Sequence, residues 1–299
     1  MKIVRTVLWI VMSLSILLLI PAPDGVEITN KEVEINIPAV SEDTYKIMSY
    51  NIKYSNFITK TKWDKRKEVI KQKINDGDPD IIGFQEVTSG TQSWTLKETL
   101  RDKYVEVFHG RRGNGFGEGT PIYYKRDKFD LIHEDVFWLS TTPNEPSTLK
   151  GSNIPRICVF VRLKDKMNNK EIVYYNTHLP YERSVDKGFA MSVITSHIAD
   201  AHYSDDTLVI VGGDFNTFNG SDAYDKIAGE GFTDMGLNAV DKVEGPTFDL
   251  SIYYGRSMNA RIDFLFAKNQ NEIPFYRIFN THIGDVYASD HYAIIVGVK

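Results

Sequence analysis

The chain has 299 residues, with 35 Lys and Arg against 40 Asp and Glu and a formal net charge of −5. Its 42% hydrophobic and 25% charged residues exclude a wholly disordered, collagen-like or coiled-coil chain. The single cysteine, Cys158, excludes an internal disulfide framework and a cysteine-based zinc site, and the acidic balance argues against non-specific binding of long polyanions.

The N-terminus has the pattern of a targeting segment. Lys2 and Arg5 precede an apolar run over residues 7–20, as in a secretory signal. The run is shorter than the roughly 20 residues that a membrane-spanning helix needs. Pro21 and Pro23 flank Ala22 and make it a poor site for cleavage by a signal peptidase. For residues 1–23 a cleaved signal peptide and an uncleaved signal anchor both stay open, and either places the rest of the chain outside the cytoplasm.

Residues 24–43 are predicted to form a solvated spacer, because prolines and acidic residues recur along them. Residues 44–299 predict one mixed α/β domain. Apolar runs predict strands near 45–53, 80–84, 121–124, 157–163, 172–177, 208–211, 262–266, 276–283 and 292–298, and helical spacing predicts helices over 63–74, 92–100 and 185–202. Strands that come in groups favour two packed sheets with helices outside over a doubly wound parallel sheet.

Polar and ionisable side chains stand at the ends of these apolar runs. They are Asn51, Glu86, His178, Asp214, Asn216, Asp263, Asp290 and His291. Such groups are costly to desolvate unless they bind something, and converging carboxylates repel one another unless a cation neutralises them. The oxygen donors Glu86, Asp290 and Asn51 suit a hard ion such as Mg²⁺.

Six short motifs carry a family resemblance. They are Tyr50-Asn51-Ile52, Gln85-Glu86-Val87, Asn176-Thr177-His178-Leu179, Gly213-Asp214-Phe215-Asn216, Arg261-Ile262-Asp263 and Ser289-Asp290-His291. In this order they resemble the endonuclease/exonuclease/phosphatase superfamily, the metal-dependent phosphohydrolases related to pancreatic-type deoxyribonuclease, AP endonucleases, neutral sphingomyelinases and inositol polyphosphate 5-phosphatases. The resemblance implies a four-layer α/β sandwich, with two packed and mainly antiparallel sheets flanked by helices and the site at one end of the sheets.

The resemblance also implies a role for each matched residue. Glu86 is the main expected metal ligand, with Asn51 beside it and Asp290 as a further ligand, for Mg²⁺ or alternatively Mn²⁺. The expected catalytic residues are His291 as general base or phosphate-side histidine, Asp263 to orient it, Asp214 to activate water, Asn216 to hold a phosphate oxygen and His178 to donate to a non-bridging oxygen. Such a set offsets charge that develops on phosphorus.

A glycine-rich loop spans residues 110–119, and its glycines allow close approach of the backbone to a ligand. Arg111, or alternatively Arg112, is expected to contact a phosphate there, and Glu118 matches a family glutamate that pairs with the histidine at position 178. Thr247 matches a family threonine near the site. Arg111, Glu118 and Thr247 are the expected substrate-binding residues, and a flexible solvated hairpin is the alternative for the loop.

The sequence thus predicts an exported, Mg²⁺-dependent phosphoesterase, with a small lipid- or sugar-linked phosphodiester as first choice. Nucleic acid is a second choice, because the acidic balance disfavours it unless a local basic groove exists. A non-catalytic binding module on the same fold is the third hypothesis. We expect a monomer that contacts a membrane only if the N-terminal segment stays uncleaved.

Overall fold

The structure is a computed structural model that describes residues 36–55, 62–255, 258–279 and 282–299. The predicted targeting segment and most of the predicted spacer lie outside these residues. In the described part of the chain, no helix combines the length and apolarity needed to cross a membrane. The predicted domain falls within one compact unit, Val33–Lys299.

The described residues form nineteen strands and six helices. The strands are β1 Tyr45–Asn51, β2 Ile81–Gln85, β3 Val87–Thr88, β4 Tyr104–Val107, β5 Glu118–Gly119, β6 Ile122–Lys125, β7 Phe129–Trp138, β8 Ile157–Asp165, β9 Glu171–His178, β10 Leu208–Asp214, β11 Thr233–Asp234, β12 Asp241–Lys242, β13 Phe248–Asp249, β14 Asn259–Ala260, β15 Asp263–Lys268, β16 Phe275–Phe279, β17 His282–Ile283, β18 Val286–Tyr287 and β19 Ala293–Val298. The helices are α1 Trp63–Gly77, α2 Thr91–Leu100, α3 Lys187–Asp200, α4 Asp222–Gly229, α5 Met235–Asn238 and α6 Ser251–Tyr254.

Two large open sheets organise the fold. The first has the strand order β12-β16-β19-β1-β2-β6-β4, and the second has the order β11-β15-β10-β9-β8-β7. The pairs β1–β2, β9–β10 and β12–β16 are parallel, and the other pairs in these two sheets are antiparallel. The two sheets are therefore mainly antiparallel, as predicted.

Three apolar clusters separate four layers. The central cluster joins the facing sides of the two sheets, for example Ile47 and Val296 with Val161 and Ile210. A second cluster packs α3 and α4 on the outer face of the second sheet, and a third packs α1 and α2 on the outer face of the first. Because side chains alternate between the faces of a strand, each central strand supplies two clusters. The four-layer α/β sandwich is confirmed.

Most of the predicted strands and helices are present, with ends displaced by a few residues. Helix α3 begins at Lys187 rather than 185 because the Asp186 side chain accepts a hydrogen bond from the Phe189 backbone N–H and caps the helix. The strands β4 and β7 and the helix α4 were not predicted. Cys158 is fully buried in β8, the strand that the apolar run over 157–163 predicts.

Candidate active site

Three candidate residues form one row across the second sheet. His178 ends β9 and pairs with Asp214 at the end of the parallel strand β10, and Asp214 pairs with Asp263 at the start of antiparallel β15. Residues in one register row point to the same side of a sheet. The alternation that turns Tyr174 and Ile210 inward also turns His178 and Asp214 towards the first sheet.

The first sheet contributes the opposite wall. Asn51 ends β1 beside Gln85 of the parallel strand β2, and Glu86 follows directly. Glu86, Lys53 and Asn216 have positive φ angles of 61°, 54° and 47°. This left-handed backbone is uncommon for residues other than glycine, and its concentration at strand ends is typical of sites where function outweighs local strain.

A buried layer of amides and a hydroxyl supports the site from below. Gln85 Nε2 donates to Asn176 Oδ1 at 2.8 Å and to Ser49 Oγ at 3.1 Å, which joins the two sheets. Gly83 is required in this layer, since a Cβ there would lie 2.3 Å from the Tyr174 hydroxyl. In this layer, hydrogen bonds between amides take the place of apolar packing and fix the distance between the two sheets.

Asp214 lies at the centre of the site. Its Oδ2 accepts from Asn51 Nδ2 at 3.0 Å and lies 3.3 Å from His178 Nε2 and 3.6 Å from His291 Nε2. Asn51 Nδ2 also donates to Glu86 Oε1 at 3.1 Å, so one amide links the two carboxylates. Burial raises the pKa of Asp214 to about 7, because desolvation outweighs the nearby positive charge of His291.

His291 is fixed by a buried carboxylate. Its Nδ1 lies 2.9 Å from Asp263 Oδ2, which leaves Nε2 towards Asp214. Burial alone would lower the pKa of His291, but Asp263 and Asp214 outweigh burial and raise the pKa to about 10. Thr247 is fully buried, and its hydroxyl accepts from the backbone N–H groups of Ile262 and Asp263 at 3.0 Å each. It therefore holds the strand that carries Asp263.

His178 and Asn216 form a second polar pair. Asn216 Nδ2 lies 2.9 Å from His178 Nε2 and donates to the Leu179 carbonyl at 3.1 Å. The Asn216 backbone N–H donates to Asp214 Oδ1 at 2.8 Å. Burial, together with the charges of Arg156 and His291, lowers the pKa of His178 well below its usual range. The imidazole is therefore neutral at pH 7.

A narrow pocket opens beside this centre. It is lined by Glu86, Arg111, Glu118, Gly119, Thr120, Pro155, Arg156, Ile157 and His178. Glu118 and His178, which were predicted to pair, both line this pocket. In the structure Glu118 Oε1 accepts a hydrogen bond from Arg111 Nη2 at 2.5 Å. The buried Arg156 has an Nε–H with no hydrogen-bond partner among the described residues. A guanidinium N–H without a partner in a pocket is suited to bind a phosphate oxygen.

Asp290 pairs with a lysine and not with the other predicted ligands. Its Oδ2 lies 2.6 Å from Lys53 Nζ in a buried ion pair. The structure thus brings Glu86, Asn51 and the five predicted catalytic residues together, pairs Asp290 with a lysine, and puts Arg111 and Glu118 at the neighbouring pocket. Thr247 is not among the residues that line this pocket.

The centre fits a divalent cation. Glu86, His178 and Asp214 offer ligand atoms that all lie within 4.8 Å of one another, and Asp214, Asp263 and His291 form a second such group. Carboxylate oxygens with an imidazole nitrogen suit Mg²⁺ or Mn²⁺. In the structure Asn51 turns its amide nitrogen, rather than its oxygen, towards the carboxylates, so its role as a ligand stays a prediction.

A comparison with known families agrees with this geometry. The sequence profile of the Endonuclease/Exonuclease/phosphatase family matches residues 48–291. The chain belongs to this family. The match includes all six motifs that carry the resemblance, together with the glycine-rich loop and Arg156. The family consists of hydrolases that act on phosphoesters, and its fold generally depends on a divalent metal.

Solved structures in the family share the fold. A mannosyl-6-phosphatase from Bacteroides thetaiotaomicron is 25% identical with a TM-score of 0.77, over 85% of this chain and 99% of that one. A family protein from Bacteroides vulgatus is 26% identical with a TM-score of 0.76, over 86% and 98%.

Curated relatives include nucleases. The Ccr4 subunit, a 3′-5′-exoribonuclease of the CCR4-Not complex in Candida albicans, is 22% identical over 254 residues, which is 71% of this chain and 32% of that protein. The chain thus spans about a third of the length of this relative. An uncharacterised protein of Acanthamoeba polyphaga mimivirus is 25% identical over 67% of this chain and 77% of its own.

Two residues of the site escaped the sequence-based predictions. Lys53 follows Asn51 by two positions, and Arg156 follows Pro155 directly before β8. The role of Lys53 could have been predicted, because a lysine next to a motif that lies among carboxylates is expected to pair with one of them. Arg156 gave no such signal, since it reaches the pocket only through the pairing of β8 with β9.

Proposed function

We propose that this chain is an exported, divalent-metal-dependent phosphoesterase that acts on a small, sugar-linked phosphoester. The observation that carries the proposal is the convergence of Glu86, His178, Asp214 and His291 on one centre, beside a pocket lined by Arg156, whose Nε–H has no hydrogen-bond partner among the described residues. Export rests on the targeting pattern of residues 1–23 alone.

The residues of the centre divide the work on a phosphoryl group. Arg156 and Arg111 bind its oxygens in the pocket, and His178 and Asn216 donate to a non-bridging oxygen. Asp214 accepts the proton of the attacking water, since its buried carboxylate lies between Asn51 and the two histidines. Asp263 fixes the ring of His291, so that Nε2 faces the reacting centre.

Glu86 and Asp214 would hold the divalent cation, with Asn51 beside them. When bound, it supplies Lewis-acid stabilisation of the charge that develops on the phosphoryl oxygens. The link that Asn51 makes between Glu86 and Asp214 keeps the two carboxylates at a fixed separation.

The surroundings of the site support a small ring-bearing substrate. Four exposed aromatic side chains lie within three residues of a site residue along the chain, and they are Tyr54, Phe116, Tyr181 and Phe218. Aromatic faces are suited to packing against the apolar face of a ring. The cations Arg111 and Lys53 are each paired with a carboxylate, which reduces the positive charge that these two residues offer to the further phosphates of a polymer. The mannosyl-6-phosphatase neighbour supports the same substrate class.

The proposal is tested with a substrate panel. Sugar 6-phosphates, p-nitrophenyl phosphate and bis-p-nitrophenyl phosphate are assayed beside single-stranded RNA and DNA, with Mg²⁺ and with EDTA. We expect Mg²⁺-dependent hydrolysis of the small esters, and the monoester and diester arms decide between the two ester types. Fast cleavage of nucleic acid with no activity on small esters would reject the proposed substrate class.

Variants separate catalysis from binding. E86Q and H291Q should lose activity, whereas H109Q, a histidine paired with Glu134 outside the site, should keep it. If E86Q and H291Q kept full activity on every substrate, a non-catalytic binding module would be the better interpretation.

An exoribonuclease is the second candidate, and the Ccr4 relatives favour it. The exposed aromatic side chains would then stack on bases. Polymer cleavage should show a steep loss of apparent affinity between 50 and about 200 mM salt, whereas hydrolysis of a small ester should change little.

A further inference from the structure

The ion pair between Lys53 and Asp290 is built into the site. Lys53 Nζ lies 2.6 Å from Asp290 Oδ2, and the two side chains are only 12% and 8% exposed. Asp290 directly precedes His291, so this pair adjoins the catalytic histidine. A buried pair of this kind is costly to break, because the remaining charge would be left without a counter-ion.

Lys53 is held in place from several directions. Its backbone is left-handed, with φ 54°, and its N–H donates to Asn51 Oδ1 at 2.9 Å. Its Nζ lies 4.9 Å from the centre of the Tyr253 ring and 5.2 Å from that of Tyr254. Aromatic faces attract an ammonium group, so the aromatic rings and the carboxylate favour the same position of the charge.

The ammonium pairs with Asp290, which belongs to neither group of candidate metal ligands. The described Asp, Glu and His side chains that meet closely enough to share an ion are Glu86, His178 and Asp214, and Asp214, Asp263 and His291. Asp290 is in neither group. The negative charge of Glu86 also acts on Lys53, so the ammonium lies within the electrostatic reach of both carboxylates.

We propose that Lys53 limits the centre to one divalent cation, held by the Glu86 group, and that its ammonium is the permanent counter-charge of Asp290. A second divalent cation at Asp290 would have to displace a buried ammonium or bind beside it against Coulomb repulsion. Lys53 is thus a positioning residue, which acts by keeping Asp290 neutralised and still. The inference rests on the metal dependence of the proposed function.

Calorimetric titration with MnCl₂ counts the ions directly and needs no substrate. The wild-type chain and D290N should each bind one Mn²⁺, with Kd values within about threefold of each other. K53M should bind two, because Asp290 is freed, and K53M/D290N should bind one again. K53R keeps the positive charge and should bind one, which separates loss of charge from loss of packing.

Electron paramagnetic resonance of bound Mn²⁺ gives a second readout. A spin-coupled pair is expected in K53M alone and isolated Mn²⁺ in the other variants. Two ions in the wild-type chain, or loss of an ion in D290N, would overturn the inference even if K53M failed to fold. No ion in the wild-type chain would instead reject the metal dependence of the proposed function, as would unchanged binding in E86Q.

Discussion

Buried carboxylates have opposite surroundings at the two ends of the central strands. At the start of β2, Asp80 accepts from Lys125 at 2.9 Å and Lys128 at 2.8 Å, and also from the backbone N–H of Lys46 at 2.9 Å. At the other end, Glu86 and Asp214 share one amide and face two histidines. A buried carboxylate that is paired with lysines needs no added ligand, whereas an unmatched one weakens the fold unless a ligand completes it.

The largest effect is expected at the unmatched end. Asp214→Asn should lower kcat by about 10³-fold, because the buried proton acceptor is lost. Burial raises the pKa of Asp214, so its ionised form costs stability at neutral pH and the substitution relieves that cost. In EDTA the variant should melt within about 3 °C of the wild type. A large fall in melting temperature would mean that Asp214 has a mainly structural role.

At the matched end, a substitution should lower stability and leave catalysis nearly unchanged. Asp80→Asn should lower the free energy of unfolding by about 3 kcal/mol, because two lysines lose a buried partner, while kcat and KM stay within about twofold. Urea denaturation measures the loss. Asp102→Asn, which removes the same charge from an exposed side chain, is the control and should change stability little.

A bound divalent cation should stabilise the protein through Glu86 and Asp214 at the unmatched end, and not through Asp80. Mg²⁺ at about 100 times its Kd should raise the free energy of unfolding by about 2.7 kcal/mol. Asp80→Asn should keep this increment and Glu86→Gln should lose most of it, as thermal melts with Mg²⁺ and with EDTA would show. An equal increment in both variants would place the bound ion elsewhere.

Arg156 tests the pocket beside the centre. Arg156→Met should lower kcat/KM by about 10- to 100-fold, mainly through KM, because a charge-assisted contact to phosphate is lost. Arg162→Met is the matched control, since that arginine pairs with Glu171 on the second sheet away from the site. If both variants bound substrate equally well, the pocket would not be the phosphate site.

The smallest effect is expected from Asp78, which is 42% exposed beside Lys46, Lys103 and Lys125. Burial alone would raise its pKa, but hydrogen bonds from these lysines outweigh it and hold the pKa well below the usual range. The stabilisation is present above the unfolded-state pKa of about 4 and is lost as the pH falls below it. Asp78→Asn should flatten the fall in stability between about pH 4 and pH 2, measured by urea denaturation at each pH, and 1 M salt should weaken the difference.

The four-layer fold and the residues of the centre were predictable, because each candidate side chain ends a recognisable apolar run and the six motifs keep their order. Strand β7 was not. It lies at the edge of the second sheet, with Leu131 and Ile132 exposed and a bulge between Leu131 and His133. These features break the two-residue alternation on which strand prediction rests.

Some contacts depend on pairing that no local pattern encodes. Lys53 reaches Asp290 across 237 positions of sequence, and Arg156 meets the pocket only because β8 pairs with β9. Thr247 was predicted near the substrate, and in the structure its hydroxyl oxygen accepts hydrogen bonds from two backbone N–H groups. Sequence motifs identify which residues gather, whereas the partner of each polar atom follows from the folded register.

The register row of His178, Asp214 and Asp263 bears on how this scaffold could be re-engineered. These residues belong to the hydrogen-bonded ladder itself, so exchanging the loop over residues 180–185, which holds none of the proposed catalytic or phosphate-binding residues, would leave the reacting groups where they are. A slip of one residue between β9 and β10 would be far worse, since it would turn His178 into the packed layer beneath helix α3. Libraries that diversify that loop while leaving those strands untouched should therefore retain hydrolysis and vary in what they hydrolyse.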